Sequence, residues 1–506
     1  MGGSRRAVYV LAGIWVIIWI LLPSWAGAQD SENISAQTRG CLGCHQTVTP
    51  GIVSDWKNSR MAKITPAAAS EKPARQRRVS FDSVPENLGG TVVGCAECHN
   101  LHPDTHDDTF SHGGTDVHTV VTPEDCATCH PVERQQFSQN LMAEAYGNLM
   151  DNSLYEALIT AASGPMKFTG TKLTQKAPDA ETNADACLFC HGTKLKVEKI
   201  EERDTAMGPM EMPEISGWPN QGVGRINPDG SKGSCAACHT RHRFSIKTAR
   251  KPDTCSQCHK GPDVPAYKVY KVSKHGNIYS AMKDSEEWDF SAVPWTVGRD
   301  MEAPTCAACH VSLLDSPGGR VLAERTHRMN DRLGWRIFGL PYAHAHPESA
   351  DTSIIRNKNG LPLPTALDGT PAEKFLISEK TRVERTRTMQ QVCLGCHSSS
   401  WVSGHFRRME HTIDSTNAQT RTATEILQKA WDAGLESGPA AGGRPFDETL
   451  ERMWVESWLF YANSTRFASA MGGADYGVFE NGRWHLTRNT REMMELLELR
   501  QKTENR

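Results

Sequence analysis

The chain is poor in several things that usually organise a protein of 506 residues. Beyond its N-terminus it has no long apolar run, so no membrane span is expected in the processed chain. Its formal charge is only −3, and no strongly basic patch offers a footprint for nucleic acid. Only 38% of its residues are hydrophobic, which is little for a chain of this length to bury as a core of its own. Strand signals are sparse. No cysteine stands outside one short pattern.

That pattern is C-x-x-C-H, and it occurs eight times. The first four copies are Cys41, Cys44 and His45; Cys95, Cys98 and His99; Cys126, Cys129 and His130; Cys187, Cys190 and His191. The last four are Cys235, Cys238 and His239; Cys255, Cys258 and His259; Cys306, Cys309 and His310; Cys393, Cys396 and His397. Together they use all sixteen cysteines. C-x-x-C-H is the attachment site of c-type haem: two thioethers fix the porphyrin and the adjacent imidazole binds the iron. An isolated C-x-x-C also serves zinc knuckles and redox dithiols. Copies that each end in histidine, with no cysteine left over, point instead to eight c-type haems. The thioethers also consume cysteines that an exported protein would otherwise pair as disulfides. The motif starts at 41, 95, 126, 187, 235, 255, 306 and 393 follow no fixed period, which disfavours a solenoid. The haems must then supply much of the buried apolar surface. Their propionates make the loaded protein acidic, which suits a small basic redox partner.

The N-terminus fits export. Arg5 and Arg6 precede an apolar stretch from Val8 to Leu22, and Ala26-Gly27-Ala28 reads as a cleavage site. Residues 1–28 are therefore expected to be a signal peptide, placing the mature protein in the periplasm or outside the cell. An uncleaved anchor is the alternative, and the stretch is short for one. Residues 29–411 read as an octahaem-binding domain of short helices and long loops, with one helix expected near Pro131–Asn140. Residues 412–506 carry no motif and read as a C-terminal helical domain, with helices expected over Thr424–Leu435, Asp447–Ala470 and Thr490–Gln501. Leu450, Met453, Trp454, Trp458 and Tyr461 recur there at helical spacing, either as core or as a subunit contact. The fold class is mainly α.

Twelve histidines lie outside the motifs: His102, His106, His112, His118, His242, His275, His327, His344, His346, His405, His411 and His485. An electron-transfer haem needs a second axial ligand, commonly histidine, whereas a catalytic haem keeps one face open. Twelve could cap every iron, so counting does not establish an open site. The candidates for iron ligation are the motif histidines together with His102, His112, His118, His242, His275, His327 and His405.

The segments flanking the motifs resemble the hydroxylamine oxidoreductase family of octahaem cytochromes. The resemblance covers most of the mature chain. It rests on the motif order and on Gly224-Arg225-Ile226-Asn227-Pro228-Asp229-Gly230 leading into the fifth motif. It rests also on Gly261-Pro262-Asp263, Ser273-Lys274-His275-Gly276, Ala303-Pro304-Thr305 and the eighth motif with Trp401 and Val402. The resemblance implies stacked haem pairs in a homotrimer. It implies a five-coordinate catalytic haem at the fourth motif, with His191 proximal and the other seven haems bis-histidine. A C-terminal tyrosine from a neighbouring subunit bonds to the catalytic haem in oxidising members, and Tyr476 lies in the matching region. The other reading of Tyr476 is a core aromatic.

Oxidising members pair Asp with His after the Gly-Pro, whereas here Asp263 is followed by Val264. Asp263 would then be the proton acceptor, with His344 or His346 able to take the place of the absent imidazole. The expected substrate is a small inorganic nitrogen compound, and the expected reaction is hydroxylamine oxidation with electrons passed to a small redox protein. The same scaffold run reductively on nitrite, nitric oxide or hydroxylamine is the alternative, and a non-catalytic electron carrier is a third.

Overall fold

A computed structural model describes residues 33–504 apart from 206 and 287. The expected signal peptide, residues 1–28, lies outside the described residues. The architecture is mainly helical, with many short helices joined by long loops and a few small sheets, antiparallel except for the pairing of Trp295–Thr296 with Leu314–Asp315. The motifs sit on helical turns, as their spacing requires. Residues i, i+3 and i+4 share one face of a helix, so a single turn presents both cysteines and the histidine to one porphyrin. The closing i→i−4 hydrogen bond recurs: His99 N–H to the Cys95 carbonyl, His239 to Cys235 and His397 to Cys393, each 2.9 Å. The first motif rides on helix Ala36–Val48, whose N-terminus is capped by the Ser35 hydroxyl accepting from Thr38 N–H.

Between the motif turns runs one continuous cavity of 2260 Å³, lined by residues of the second to eighth motifs. The apolar side chains gather on its flanks rather than at one centre. One cluster is aromatic: Tyr279, Trp288, Phe290 and Trp295 are all buried, with Trp288 and Phe290 stacked at 5.1 Å. This is the arrangement anticipated from a low hydrophobic content, in which the cofactor fills the middle.

The C-terminal helices are longer than their sequence suggested. Helix Ser399–Asp432 spans 34 residues and passes without a break through position 411, so the motif-bearing and motif-free segments share one rod. The helix expected over Thr424–Leu435 is its last part. The helix expected over Asp447–Ala470 is Thr449–Val455, a π-helical turn Glu456–Ala462, and Asn463–Met471. The last helix is Arg483–Glu504. They close on Ala423, Leu427, Leu450, Met493 and Leu497, all buried. Of the aromatic stripe, Trp454 and Trp458 are buried within this core and Trp454 donates to Thr424 Oγ1 at 2.8 Å, which is the core reading. The π-helical turn carries Glu456, Leu459 and Phe460 to the cavity wall.

One feature had no sequence signal. A hairpin, Lys196–Thr205 with Gly208–Ser216, runs directly from the fourth motif. Its first strand is mostly charged and exposed and its second mostly half-buried, without a regular apolar alternation that would mark it. Cross-strand charges such as Lys199 and Glu214, 3.3 Å apart, line it instead.

Candidate haem ligands and catalytic pocket

None of the sixteen cysteines is in a disulfide. Thiols from different motifs meet in pairs: Cys41 with Cys95, Cys126 with Cys235, Cys190 with Cys258, and Cys255 with Cys306. Cys98 also lies near Cys129, Cys238 near Cys255, and Cys309 near Cys393. The spatial order of motifs is therefore one, two, three, five, six, with the fourth and seventh both meeting the sixth and the eighth meeting the seventh. The sixth motif is a junction. Burial pushes Cys98, Cys238 and Cys309 up to about 12, so as thiols they stay protonated, and as thioethers they would carry no charge.

Four motif histidines face a spare histidine across a gap of one width. Ring centres are 6.1 Å apart for His45 and His112, 6.4 Å for His99 and His242, 6.4 Å for His239 and His327, and 6.1 Å for His397 and His275. Two metal–imidazole bonds of roughly 2.0 Å each, plus the two half-rings from nitrogen to ring centre, span such a gap. These residues therefore fit a six-coordinate haem iron. His99 donates its Nδ1–H to the His118 carbonyl at 2.8 Å and His191 to the Ala145 carbonyl at 2.9 Å. Such outer hydrogen bonds fix the ring and leave Nε2 for the metal. His118 lies on the Nδ1 side of His99, which leaves His242 for the other.

The other three candidate caps are placed differently. His102 contacts Asp125 at 3.2 Å and is nearly half exposed. His118 stacks on His106 at 3.7 Å, with its Nε2 buried and without a partner. His405 stacks on Trp401 at 5.2 Å, which in turn stacks on His397 at 3.9 Å. Among the described residues His130, His191, His259 and His310 have no imidazole across a haem-wide gap. His106 is not free to bind a metal, because both ring nitrogens meet carboxylates, Asp108 and Asp125, each at 3.3 Å. Burial pulls its pKa down, but those hydrogen bonds outweigh burial and raise it to about 9.

The fourth motif occupies helix Cys187–His191, closed by Gly192 at φ +92°. A Cβ there would lie 2.3 Å from Arg225 N, so only glycine fits. Asp263, Val264, Tyr155, Arg336 and His346 line the cavity together with Cys187, Cys190 and His191. Burial lowers the pKa of His191, while the Asp263 charge acts to raise it and Arg336 to lower it. Asp263 also acts on Cys187, Cys190 and His259, which sets it between the fourth and sixth motifs. It forms no ion pair among the described residues.

His346 lines the same cavity as Asp263, and His344 is buried on the strand His344–Ala345. Burial, with Arg336 adding to it, pushes both down to about 3, and a proton-transfer group needs a pKa near the working pH. Their rings donate Nδ1–H to the carbonyls of Ala345 and Pro347 at 2.6 and 3.2 Å. That is the posture of a ligating imidazole, and no sequence pattern announces it. Tyr476 is half-buried on the turn Asp475–Glu480, accepting from Asn481 Nδ2 at 3.0 Å with the Lys268 ammonium 6.0 Å from its ring. It does not line the cavity of its own chain.

The family profile described as "Multi-haem_cyto: Seven times multi-haem cytochrome CxxCH" matches residues 227–325, which hold the fifth, sixth and seventh motifs. A solved structure described as "Hypothetical multiheme protein" is 42% identical, covers 94% of this chain and 98% of its own, and superposes with a TM-score of 0.86. The chain is a multihaem c-type cytochrome. This cytochrome is also 25% identical over 447 residues to a "Probable nitrite reductase-hydroxylamine oxidoreductase fusion protein" of Kuenenia stuttgartiensis. The match spans 84% of the cytochrome and 41% of the length of that relative. A "Kuenenia stuttgartiensis reducing HAO-like protein complex" shares the fold at TM-score 0.61 and 19% identity, covering 93% of the cytochrome and 86% of that chain. No helix among the described residues is long and apolar enough to cross a membrane.

Proposed function

We propose that this cytochrome carries eight haems, that the one on Cys187, Cys190 and His191 is the catalytic one, and that it oxidises hydroxylamine there. The observation that carries this reading is the meeting of an uncapped motif histidine with an unpaired carboxylate: His191 faces no imidazole, and Asp263 lines the same cavity. The haem, when bound, supplies the redox chemistry and the electron path. What the chain supplies is different. Its thioether and imidazole anchors fix where the substrate nitrogen sits. Asp263 accepts the protons that must leave as electrons do. His45, His99, His239 and His397 would each hold an iron together with a facing imidazole, and the other bound haems would supply an electron path through the junction at the sixth motif to a small redox partner. Export through residues 1–28 places the protein in the periplasm. In a homotrimer Tyr476 would reach the catalytic haem of a neighbour, since it sits on the outer surface of its own chain. Residues 29–411 would form the haem-binding domain and 412–506 the helical domain packed on it.

A second reading, reduction of nitrite, nitric oxide or hydroxylamine, is favoured by Val264 standing beside Asp263 in place of an imidazole. Carbon monoxide titration of the reduced holoprotein tests the site. One haem per chain should bind it, and none should bind if all are capped, which would make the protein an electron carrier. The optical spectrum then tests direction. A band distinct from ordinary c-haem that disappears in Tyr476→Phe supports a tyrosine-modified haem and oxidation, whereas an unchanged spectrum supports the reductive reading.

A further inference from the structure

Buried arginines elsewhere in the molecule spend their donors on the protein. Arg332 gives both terminal nitrogens to the carbonyls of Ala308, Cys309, Ser312 and Glu324. Arg250 donates to Phe290 and Ala292, and Arg225 to Asn227 and Asn220. Arg336 differs. Among the described residues its side chain makes no hydrogen bond and no ion pair, and its Nε is sealed from solvent without a partner. Its one recorded side-chain neighbour is an aromatic face, with the guanidinium 5.6 Å from the Phe338 ring centre. It lines the cavity alongside His191, Asp263 and Tyr155, and its charge is felt at His191, Tyr155, His344 and His346.

The position is built rather than incidental. Arg336 lies on the short strand Trp335–Arg336, which pairs with His344–Ala345 in the register Arg336 opposite His344. Asp263 lines the same cavity and forms no ion pair with Arg336. A half-buried guanidinium whose Nε is sealed and unpartnered, on the wall of a cavity, is a site for a planar anion, which its forked N–H groups can hold by two parallel hydrogen bonds.

We propose that Arg336 is the specificity-determining cation of the fourth-haem pocket and selects a small oxyanion, with nitrite as its simplest form, over neutral ligands. This rests on the reading of the fourth haem as open. The binding preference holds whether nitrite enters as substrate or leaves as product. The other anion that could meet Arg336 is a haem propionate, and the two differ in what a substitution changes.

The test is optical titration of the holoprotein, oxidised with nitrite and reduced with carbon monoxide, for wild type, Arg336→Met and Arg336→Lys. Removing one partner of a buried charge pair should weaken nitrite binding by about 10²-fold in Arg336→Met, with carbon monoxide affinity and haem content unchanged. Arg336→Lys keeps the charge without the fork and should lose less. Nitrite and carbon monoxide affinities that fall together, or a nitrite affinity that does not move, would assign Arg336 to a propionate and overturn the proposal. If Arg336→Met fails to take up haem, Arg336→Lys decides alone: undiminished nitrite affinity overturns the proposal. Wild-type protein that binds neither ligand overturns the open-haem reading and this proposal with it.

Discussion

Around the motifs, residues 33–397 surround a cavity, and their apolar side chains form patches on its walls. Past the motifs, the helices Thr449–Met471 and Arg483–Glu504 close with the end of helix Ser399–Asp432 on Leu427, Leu450 and Met493, and this core meets the cavity wall at Val455 and Leu459. The second region is organised by its own side chains at helical spacing. The first is organised by where its turns place sulfur and imidazole, and its interior belongs to the cofactor. The same chain thus folds by two different sources of burial, and the continuous helix through position 411 couples them. The difference teaches where to look for function: Asp263 and Arg336, charged side chains without an ion pair among the described residues, lie on the cavity side.

The largest expected effect comes from removing haem at the junction. The sixth motif meets the fourth, fifth and seventh through its cysteines. Replacing Cys255 and Cys258 by Ala should therefore prevent accumulation of folded protein, or leave a chain lacking more than one haem. Intact-mass measurement reads the haem count directly. Loss of a single haem with the rest in place would show that the cavity region holds itself together better than argued here.

Activity should separate from stability between the two regions. Asp263→Asn keeps the shape and removes the proton acceptor, so hydroxylamine turnover should fall by about 10²–10⁴-fold with thermal stability and haem content unchanged. Wild-type turnover in that variant would remove Asp263 from the mechanism. Leu427→Ala should do the reverse. Leu427 is fully buried in the C-terminal core, and the cavity left behind should cost about 2–5 kcal/mol. Denaturant unfolding checks this, with the haem spectrum as a control. An unchanged midpoint would mean that the haem region carries the stability of the whole chain.

How much of this was legible depends on the range of the interaction. Haem attachment is local chemistry with a fixed spacing, so the candidate anchoring cysteines can be named from the sequence. Helices with apolar periodicity could be read too, as at Pro131–Ser138 and Arg483–Glu504. The start of the long helix could not. Its middle is Ser-Thr-Asn-Ala-Gln-Thr-Arg-Thr from 415 to 422, which hides an apolar face. The buried Thr420 and Thr424 satisfy their hydroxyls on carbonyls four residues back, at 2.9 and 3.0 Å. Which spare histidine faces which motif is a tertiary fact, and residues far apart in the chain, such as His275 and His397, meet only in the fold. The depressed pKa values of His344 and His346 arise from burial beside Arg336, and no spacing encodes that.

The smallest effect concerns acidity in the C-terminal core. Glu451 is buried there, accepting from Trp431 Nε1 at 2.9 Å and from the backbone N–H groups of Asp447 and Glu448 at 3.1 and 3.2 Å. Burial raises its pKa to about 7, with the nearby Glu436 charge adding to it and the hydrogen bonds opposing it. The sign follows from linkage. A group whose pKa is higher folded than unfolded binds its proton more tightly in the folded state, so the stability it contributes is fully present below its ordinary value and is lost as pH rises. For Glu451 that window runs from the ordinary glutamate value of 4.5 up to about 7. Unfolding of the C-terminal helices, followed by hydrogen exchange at Leu450 and Trp454, should therefore become easier across that range. Glu451→Gln cannot ionise and should flatten the slope, whatever it does to the absolute stability. Elsewhere the sign is the same but the window is higher: His106, raised to about 9 by Asp108 and Asp125 against burial, loses its contribution only as pH climbs from the ordinary histidine value toward 9. The two regions should then loosen at different pH, the C-terminal core first. Exchange that rises in both regions over one common range would mean that the helix through position 411 makes them a single cooperative unit.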